Sequence, residues 1–266
     1  MGSGMGLKTI AAAGVLAACG TAAVIARADD PSGRAAQADG GLALSRLDVR
    51  DGSVMIDRPA QAGAVDHLRV INKSKSALDV TVTARPWTQS SSGAVSPNRR
   101  AKLGGVAVSE STFSLAPGAW RDFSVTLTSS PAYLYGALEI VGLPSDVSKR
   151  KGVVPGYRVV SSLRYNAAKP VYKLKPGAIK ASRKAVTLKV RNSGNTIAPV
   201  TGSVRLRGPL GTKNGSLKAT RILPRKTVAL NLVSRSNLRP GTYTATVTLI
   251  QNKVKTKVTK RVRVAR

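Results

Sequence analysis

From Leu42 onward the sequence alternates apolar and polar residues in short runs, broken by turn formers at roughly ten-residue intervals. Leu68 and Val70, then Leu78, Val80 and Val82, flank the turn Asn72-Lys73-Ser74-Lys75-Ser76. Phe123, Val125 and Leu127 follow Leu115-Ala116-Pro117-Gly118; Leu134, Leu138 and Ile140 follow in turn, with Gly136 between them. Tyr157, Val159, Leu163 and Tyr165 come after the loop Ser145 to Pro155. Because successive side chains on a strand point to opposite faces, each set defines one buried face. Seven or so strands in roughly 120 residues predict an immunoglobulin-like β-sandwich.

The pattern restarts after Asn166 to Pro170. Val186, Leu188 and Val190 lead to Asn192-Ser193-Gly194-Asn195; Val204 and Leu206 come next, with a hairpin expected at Asn214-Gly215. Val228, Leu230 and Leu232 form another strand. Then Arg239-Pro240-Gly241-Thr242-Tyr243 opens a strand whose first tyrosine suits the tyrosine corner of such sandwiches. Along it, Tyr243, Ala245, Val247 and Leu249 face one way, and Thr242, Thr244, Thr246 and Thr248 the other. The closing run Gln251 to Arg266 puts Lys253, Lys255, Lys257, Thr259, Arg261 and Arg263 on one side and mostly valines on the other. The fold class expected is all-β: two tandem immunoglobulin-like sandwiches, over residues 42–167 and 168–266, behind an N-terminal signal segment.

That segment, residues 1–28, has an early Lys8, an uncharged run from Thr9 to Ala26 and a small-x-small site at Ala26-Arg27-Ala28, as a secretory signal does. Two alternatives stand beside cleavage after Ala28. Leu16-Ala17-Ala18-Cys19 is the pattern of a lipidated cysteine, and the run is just long enough for an uncleaved anchor. Residues 29–41 are rich in turn formers and read as a flexible leader. The expected location is secreted or associated with the cell wall or cell surface, with lipid anchoring through Cys19 as one option.

Charge changes the picture more than length does. The net charge is +31, yet all twelve Asp and Glu lie at or before Asp146, and 29 of the 43 Lys and Arg lie after it. A basic domain without counter-charges repels itself, so an anionic polymer is the expected partner. If the third, sixth and seventh strands of the second sandwich share a sheet, then Arg205, Arg207, Lys253, Lys255, Lys257, Arg261 and Arg263 join the threonine row in one polyanion-binding face. For an exported protein the partner expected is an anionic, teichoic-acid-like envelope polymer. The first sandwich would dock peptidoglycan or another surface protein. Nucleic acid comes second, because Tyr172 and Tyr243 are the only aromatic residues of the second sandwich and stacking needs more.

Catalytic chemistry is poorly supplied. His67 is the only histidine, and Asp66 beside it falls on the opposite strand face. No cluster of His, Cys or carboxylates predicts a metal site, no glycine-rich phosphate loop occurs, and no cofactor is expected. Glu139 has no evident carboxylate partner for glycoside hydrolysis. Trp87 and Trp120 are expected to be buried, since aromatic residues make up only 4% of the chain.

Val70-Ile71-Asn72-Lys73-Ser74, Leu115-Ala116-Pro117-Gly118, Tyr135-Gly136-Ala137-Leu138-Glu139-Ile140, Val190-Arg191-Asn192-Ser193-Gly194 and Arg239-Pro240-Gly241-Thr242-Tyr243 together resemble the WxL-interacting cell-surface proteins of Gram-positive bacteria. That resemblance implies a peptidoglycan-binding first domain and a second domain for host or surface binding. The plan also resembles the periplasmic pilus chaperones, which act by lending a strand to a subunit. There the strand Tyr157 to Tyr165, with Arg158 and Arg164, would be the one lent. The function expected is non-enzymatic binding at the cell envelope, with β-strand addition in surface assembly as the alternative.

Overall fold

A computed structural model of the chain describes residues 40–209 and 211–265. The signal segment with Cys19, and the leader as far as residue 39, lie outside the described residues.

The fold is all-β. In the first half, one sheet has the order β1 (Leu42–Arg46), β3 (Val65–Asn72), β8 (Trp120–Leu127), β6 (Val106–Val108). Facing it is a sheet in the order β2 (Ile56–Pro59), β10 (Tyr157–Asn166), β9 (Leu134–Pro144), β4 (Leu78–Gln89), β5 (Val95–Pro97), with β7 (Thr112–Leu115) on β4. Leu68, Val70, Phe123, Val125 and Leu127 of one sheet pack with Val80, Val82, Leu138, Ile140 and Leu163 of the other in a single apolar cluster. These are the alternating positions of the sequence, so burial follows the period of two.

The second half repeats the plan. The order β11 (Leu174–Ala181), β12 (Ala185–Asn192), β15 (Thr227–Ser234) faces β14 (Gly211–Arg221), β13 (Pro199–Gly208), β16 (Gly241–Gln251), β17 (Val254–Val264). Val186, Leu188, Val190, Leu206, Leu230, Tyr243, Val247 and Val262 belong to a separate core. The two are tandem immunoglobulin-like sandwiches. The Tyr243 hydroxyl donates to the Arg239 carbonyl at 2.9 Å, which makes the expected tyrosine corner.

A buried asparagine recurs at the same place in each sandwich. Asn72, ending β3, donates to the carbonyls of Ser76 (2.8 Å) and Leu115 (3.0 Å), and its Oδ1 accepts from the Ser74 amide. Asn192, ending β12, donates to Thr196 and Ile222, both at 2.7 Å, and accepts from the Gly194 amide. Each asparagine carbonyl also accepts a backbone bond at 2.8 Å, from Gly118 in the first sandwich and Arg225 in the second. Both partners sit in the left-handed region, Gly118 at φ 75° and Arg225 at φ 65°. Glycine reaches that region without strain, whereas arginine does not.

Two local expectations are corrected. Asn214 and Gly215 lie inside β14, opposite Arg205 and Val204, and the hairpin turns instead where Gly208 faces Gly211. Pro209 has no amide to give a ladder, and Gly211 adopts φ 92°, so the chain reverses there. Trp120 is 55% exposed, on the outer face of β8 beneath the Arg69 guanidinium, which lies 3.8 Å from the ring centroid. Its even number sets it opposite Phe123, Val125 and Leu127. Trp87 is half-buried.

Candidate functional site

Three groups of charged side chains stand out, and they differ in what holds them. On the outer face of β9, the carboxylate of Glu139 is only 3% exposed and receives three guanidiniums: Arg158 at 2.6 Å, Arg85 at 2.8 Å and Arg99 at 3.3 Å. Strand register explains the first two, since Val160 and Thr83 flank Glu139 and the arginines stand one step further along the same face. Burial alone pushes this carboxyl up, but the hydrogen bonds from Arg158 and Arg85 outweigh it together and hold it below the ordinary range. A carboxylate so engaged is neither acid nor nucleophile for a glycosidic bond. Asp66 is likewise buried, 2.6 Å from Arg46, while His67 beside it is exposed. Among the described residues no group of three His, Cys, Asp or Glu could hold a metal ion.

The second group lies between the sandwiches. The β4–β5 hairpin reaches across: Gln89 donates to the Arg221 carbonyl (2.7 Å) and accepts from the Leu223 amide (2.9 Å), and the Ser91 carbonyl accepts from the Ala229 amide (2.7 Å). The Tyr135 hydroxyl donates to the Asn195 carbonyl at 3.1 Å. Under this clasp a cleft of about 370 Å³ is lined by Trp87, Ser162, Arg164, Lys218 and Arg221, among others. Desolvation, then the charge of Arg221, push the Arg164 guanidinium down from its usual pKa, and Asp57, 3.5 Å away, offsets this in part. The cleft therefore holds more cation than anion. Sequence reasoning missed it because Arg164 and Arg221 are distant in the chain and carry no local motif.

Beside this cleft runs β10. Its last four residues, Leu163 to Asn166, pair with β2 on one side, and all but Asn166 pair with β9 on the other. Before them, Tyr157 to Ser162 keep a regular ladder only with β9. The Ser161 hydroxyl donates to the Val54 carbonyl near the end of that stretch. The loop leading into β10 exposes Val147 (40%) and Val153 (70%), next to Leu143 (45%) at the end of β9. Arg158 and Arg164, expected beside a lent strand, instead pair with Glu139 and Asp57.

The third group is the basic face. Register aligns Ser203, Thr248 and Lys257 in one row across β13, β16 and β17; Arg205, Thr246 and Thr259 in the next; then Arg207, Thr244 and Arg261; then Thr242 and Arg263. Lys255 stands opposite Ile250. Arg205, Arg207, Lys255, Lys257, Arg261 and Arg263 are all exposed. Lys253 belongs to the β16–β17 turn rather than the ladder, at φ 69° after Asn252 at 46°. On the other side of β17, Lys260 reaches the Gly177 carbonyl of β11 at 2.8 Å, so this cation closes the sandwich edge. Among the described residues, all nine ion pairs lie in the first sandwich.

No family model matches the chain, and no curated protein matches it in sequence. Among solved structures it is similar to the class 5 fimbriae chaperone CfaA, at 12% identity and TM-score 0.48, over 82% of this chain and 98% of that one. It is also similar to the E. coli chaperone DraB, at 13% identity and TM-score 0.42 over 85% and 97%. A complex of the Salmonella enterica pilin SafA with the chaperone SafB is matched at 13% identity and TM-score 0.42, over 86% and 98%. These are likenesses of overall plan, and no residue role comes with them. The resemblance to WxL-interacting proteins gains no support. Its motifs are ones an immunoglobulin-like sandwich uses for its own reasons: the Asn72 and Asn192 turns tie strands together, and Arg239 to Tyr243 is the tyrosine corner.

Proposed function

We propose that this is an exported, non-enzymatic assembly protein that holds a partner polypeptide by β-strand addition along the start of β10. The observation that carries the reading is the one-sided ladder of Tyr157 to Ser162, entered from a loop that exposes Val147 and Val153. An unpaired strand edge offers a row of amides and carbonyls to an incoming strand, and the flanking apolar side chains give it register. Where β10 meets the second sandwich, Arg164, Lys218 and Arg221 offer an attachment point for an anionic group of the same partner. Export rests on residues 1–28 of the sequence. The proposal stands on the edge and the cleft.

The test is amide hydrogen exchange of the full chain, alone and with a partner captured from an envelope extract, followed by a wash in high salt. Strand addition predicts that the partner stays bound at about 0.5 M salt, where exposed charge pairs are largely screened. It also predicts slowed exchange over residues 153–162, and loss of capture in a Val147→Asp, Val153→Asp double variant. A complex that salt dissolves, or that leaves exchange at 153–162 unchanged, contradicts the proposal.

A further inference from the structure

We infer that the outer face of the β13–β16–β17 sheet is a trough for one linear, flexible phosphodiester polymer, laid along β16. This surface is separate from the β10 edge, and the inference does not depend on that proposal.

The geometry follows from register. β16 is the middle strand of the three; its outward residues are Thr242, Thr244, Thr246 and Thr248, which carry hydroxyls and no charge, and Ile250 opposite Lys255. The cations stand on either side: Arg205 and Arg207 on β13, and Lys255, Lys257, Arg261 and Arg263 on β17. Neighbouring strands are about 5 Å apart, so the two cationic walls are about 10 Å apart across a floor of hydroxyls. Along each wall, alternate residues repeat at about 7 Å. A single chain of phosphates fits between such walls, with arginine forks and lysine ammoniums reaching its oxygens from both sides. The hydroxyls of Thr246 on the floor and Thr259 on the β17 wall lie 3.2 Å apart, so one proton is shared between them and the other is left to donate to a phosphate oxygen.

Charge complementarity is unusually one-sided here. None of the wall cations has a carboxylate within ion-pair distance among the described residues, and the sequence places no acid after Asp146. Charge even occupies positions that strain the backbone. Lys253, at the mouth of the trough, and Arg225 both sit at positive φ, where the first sandwich uses only glycine among its described residues.

The same surface argues against two other anions. A bilayer headgroup layer would call for several large apolar side chains beside the cations to enter the acyl boundary, and the floor offers four threonines with a single isoleucine, Ile250, at one end. Single-stranded nucleic acid gains much of its affinity from bases stacked on aromatic rings, and this face carries none: Tyr243 is buried on the other side of β16.

The experiment titrates the full chain with synthetic poly(glycerol phosphate) across a range of salt. Each phosphate neutralised on a single chain contributes about 0.7 to the slope of log affinity against log salt. An Arg205→Gln, Arg207→Gln, Lys257→Gln, Arg261→Gln, Arg263→Gln variant is then expected to lose about 3.5 from that slope, and at least about 100-fold in affinity at 0.1 M salt. The control removes equal charge elsewhere, as Lys175→Gln, Lys180→Gln, Lys189→Gln, Arg191→Gln and Lys226→Gln. It is expected to bind within about threefold of the unmodified chain, since exposed charges beyond a Debye length are screened. Circular dichroism checks that both variants keep their strands, and all these side chains are exposed or half-exposed. The inference is overturned if the control loses as much as the trough variant, which would make net charge the cause. It is also overturned if phosphatidylglycerol vesicles or poly(dT) bind the unmodified chain more tightly than poly(glycerol phosphate).

Discussion

The two sandwiches share a fold and differ in how their charges are satisfied. In the first, Glu139 gathers three arginines, Asp66 meets Arg46 and Asp122 takes a bidentate pair from Arg69 at 2.7 and 2.8 Å. Its described left-handed residues are all glycines. In the second, no acid occurs, the exposed cations of one sheet stand on the two strands that flank β16, and Arg225 occupies the place that Gly118 has in the first. The first sandwich pairs its buried carboxylates with its own arginines and can serve as a scaffold and docking edge. The second carries charge that only something outside the molecule can neutralise.

The largest expected effect lies in the first half. Glu139→Gln strands three guanidiniums around a neutral amide, and unfolding is expected to become easier by about 3–5 kcal/mol, as for other buried pairs broken on one side. Denaturant titration measures this. The pH dependence has a definite sign. The folded pKa of Glu139 lies below the ordinary glutamate value, so its contribution is fully present above that ordinary value and is lost as pH falls through the lower folded one. Asp79 and Asp122 are also held low, by hydrogen bonds from Ser114 and Arg69 respectively, and act in the same direction. Protection factors in the first sandwich, corrected for the intrinsic pH dependence of exchange, should therefore fall below about pH 4.5, while those in the second, having no carboxylate side chain, should not respond. Matching acid responses in the two would break the contrast.

A smaller effect sharpens the comparison at a single position. Arg225→Gly is expected to stabilise the protein by about 0.5–1 kcal/mol, because the relief of left-handed strain exceeds glycine's entropic cost. The reciprocal Gly118→Arg should destabilise by about 1 kcal/mol. Thermal denaturation of the two variants reads both signs, and a destabilising Arg225→Gly would mean that the side chain contributes to the fold rather than to charge.

Most of the strand framework was legible, because burial alternates with sequence wherever one face meets a core. The sets at Phe123, Val186 and Tyr243 fell where the period of two puts them, as did the tyrosine corner. The alignment of Arg205, Arg207 and the β17 cations on one sheet face was readable from the same period and the usual strand order. What escaped was nonlocal or decided by one residue. Composition predicted burial for Trp120, although its parity already placed it outside. Asn214-Gly215 has the composition of a turn, but Pro209 and Gly211 decide where the hairpin bends. The clasp of Gln89 on Arg221 and Leu223 joins residues more than 130 apart and leaves no trace in either neighbourhood.

The division of charge is tested most directly by hydrogen exchange on the intact chain as salt is raised from about 20 mM to 1 M, read separately for the two sandwiches. Screening relieves repulsion in the second and weakens attraction in the first. Opening should therefore become rarer across β13, β16 and β17, and stay constant or become more frequent around β4, β9 and β10. The same response to salt in both halves would contradict the account.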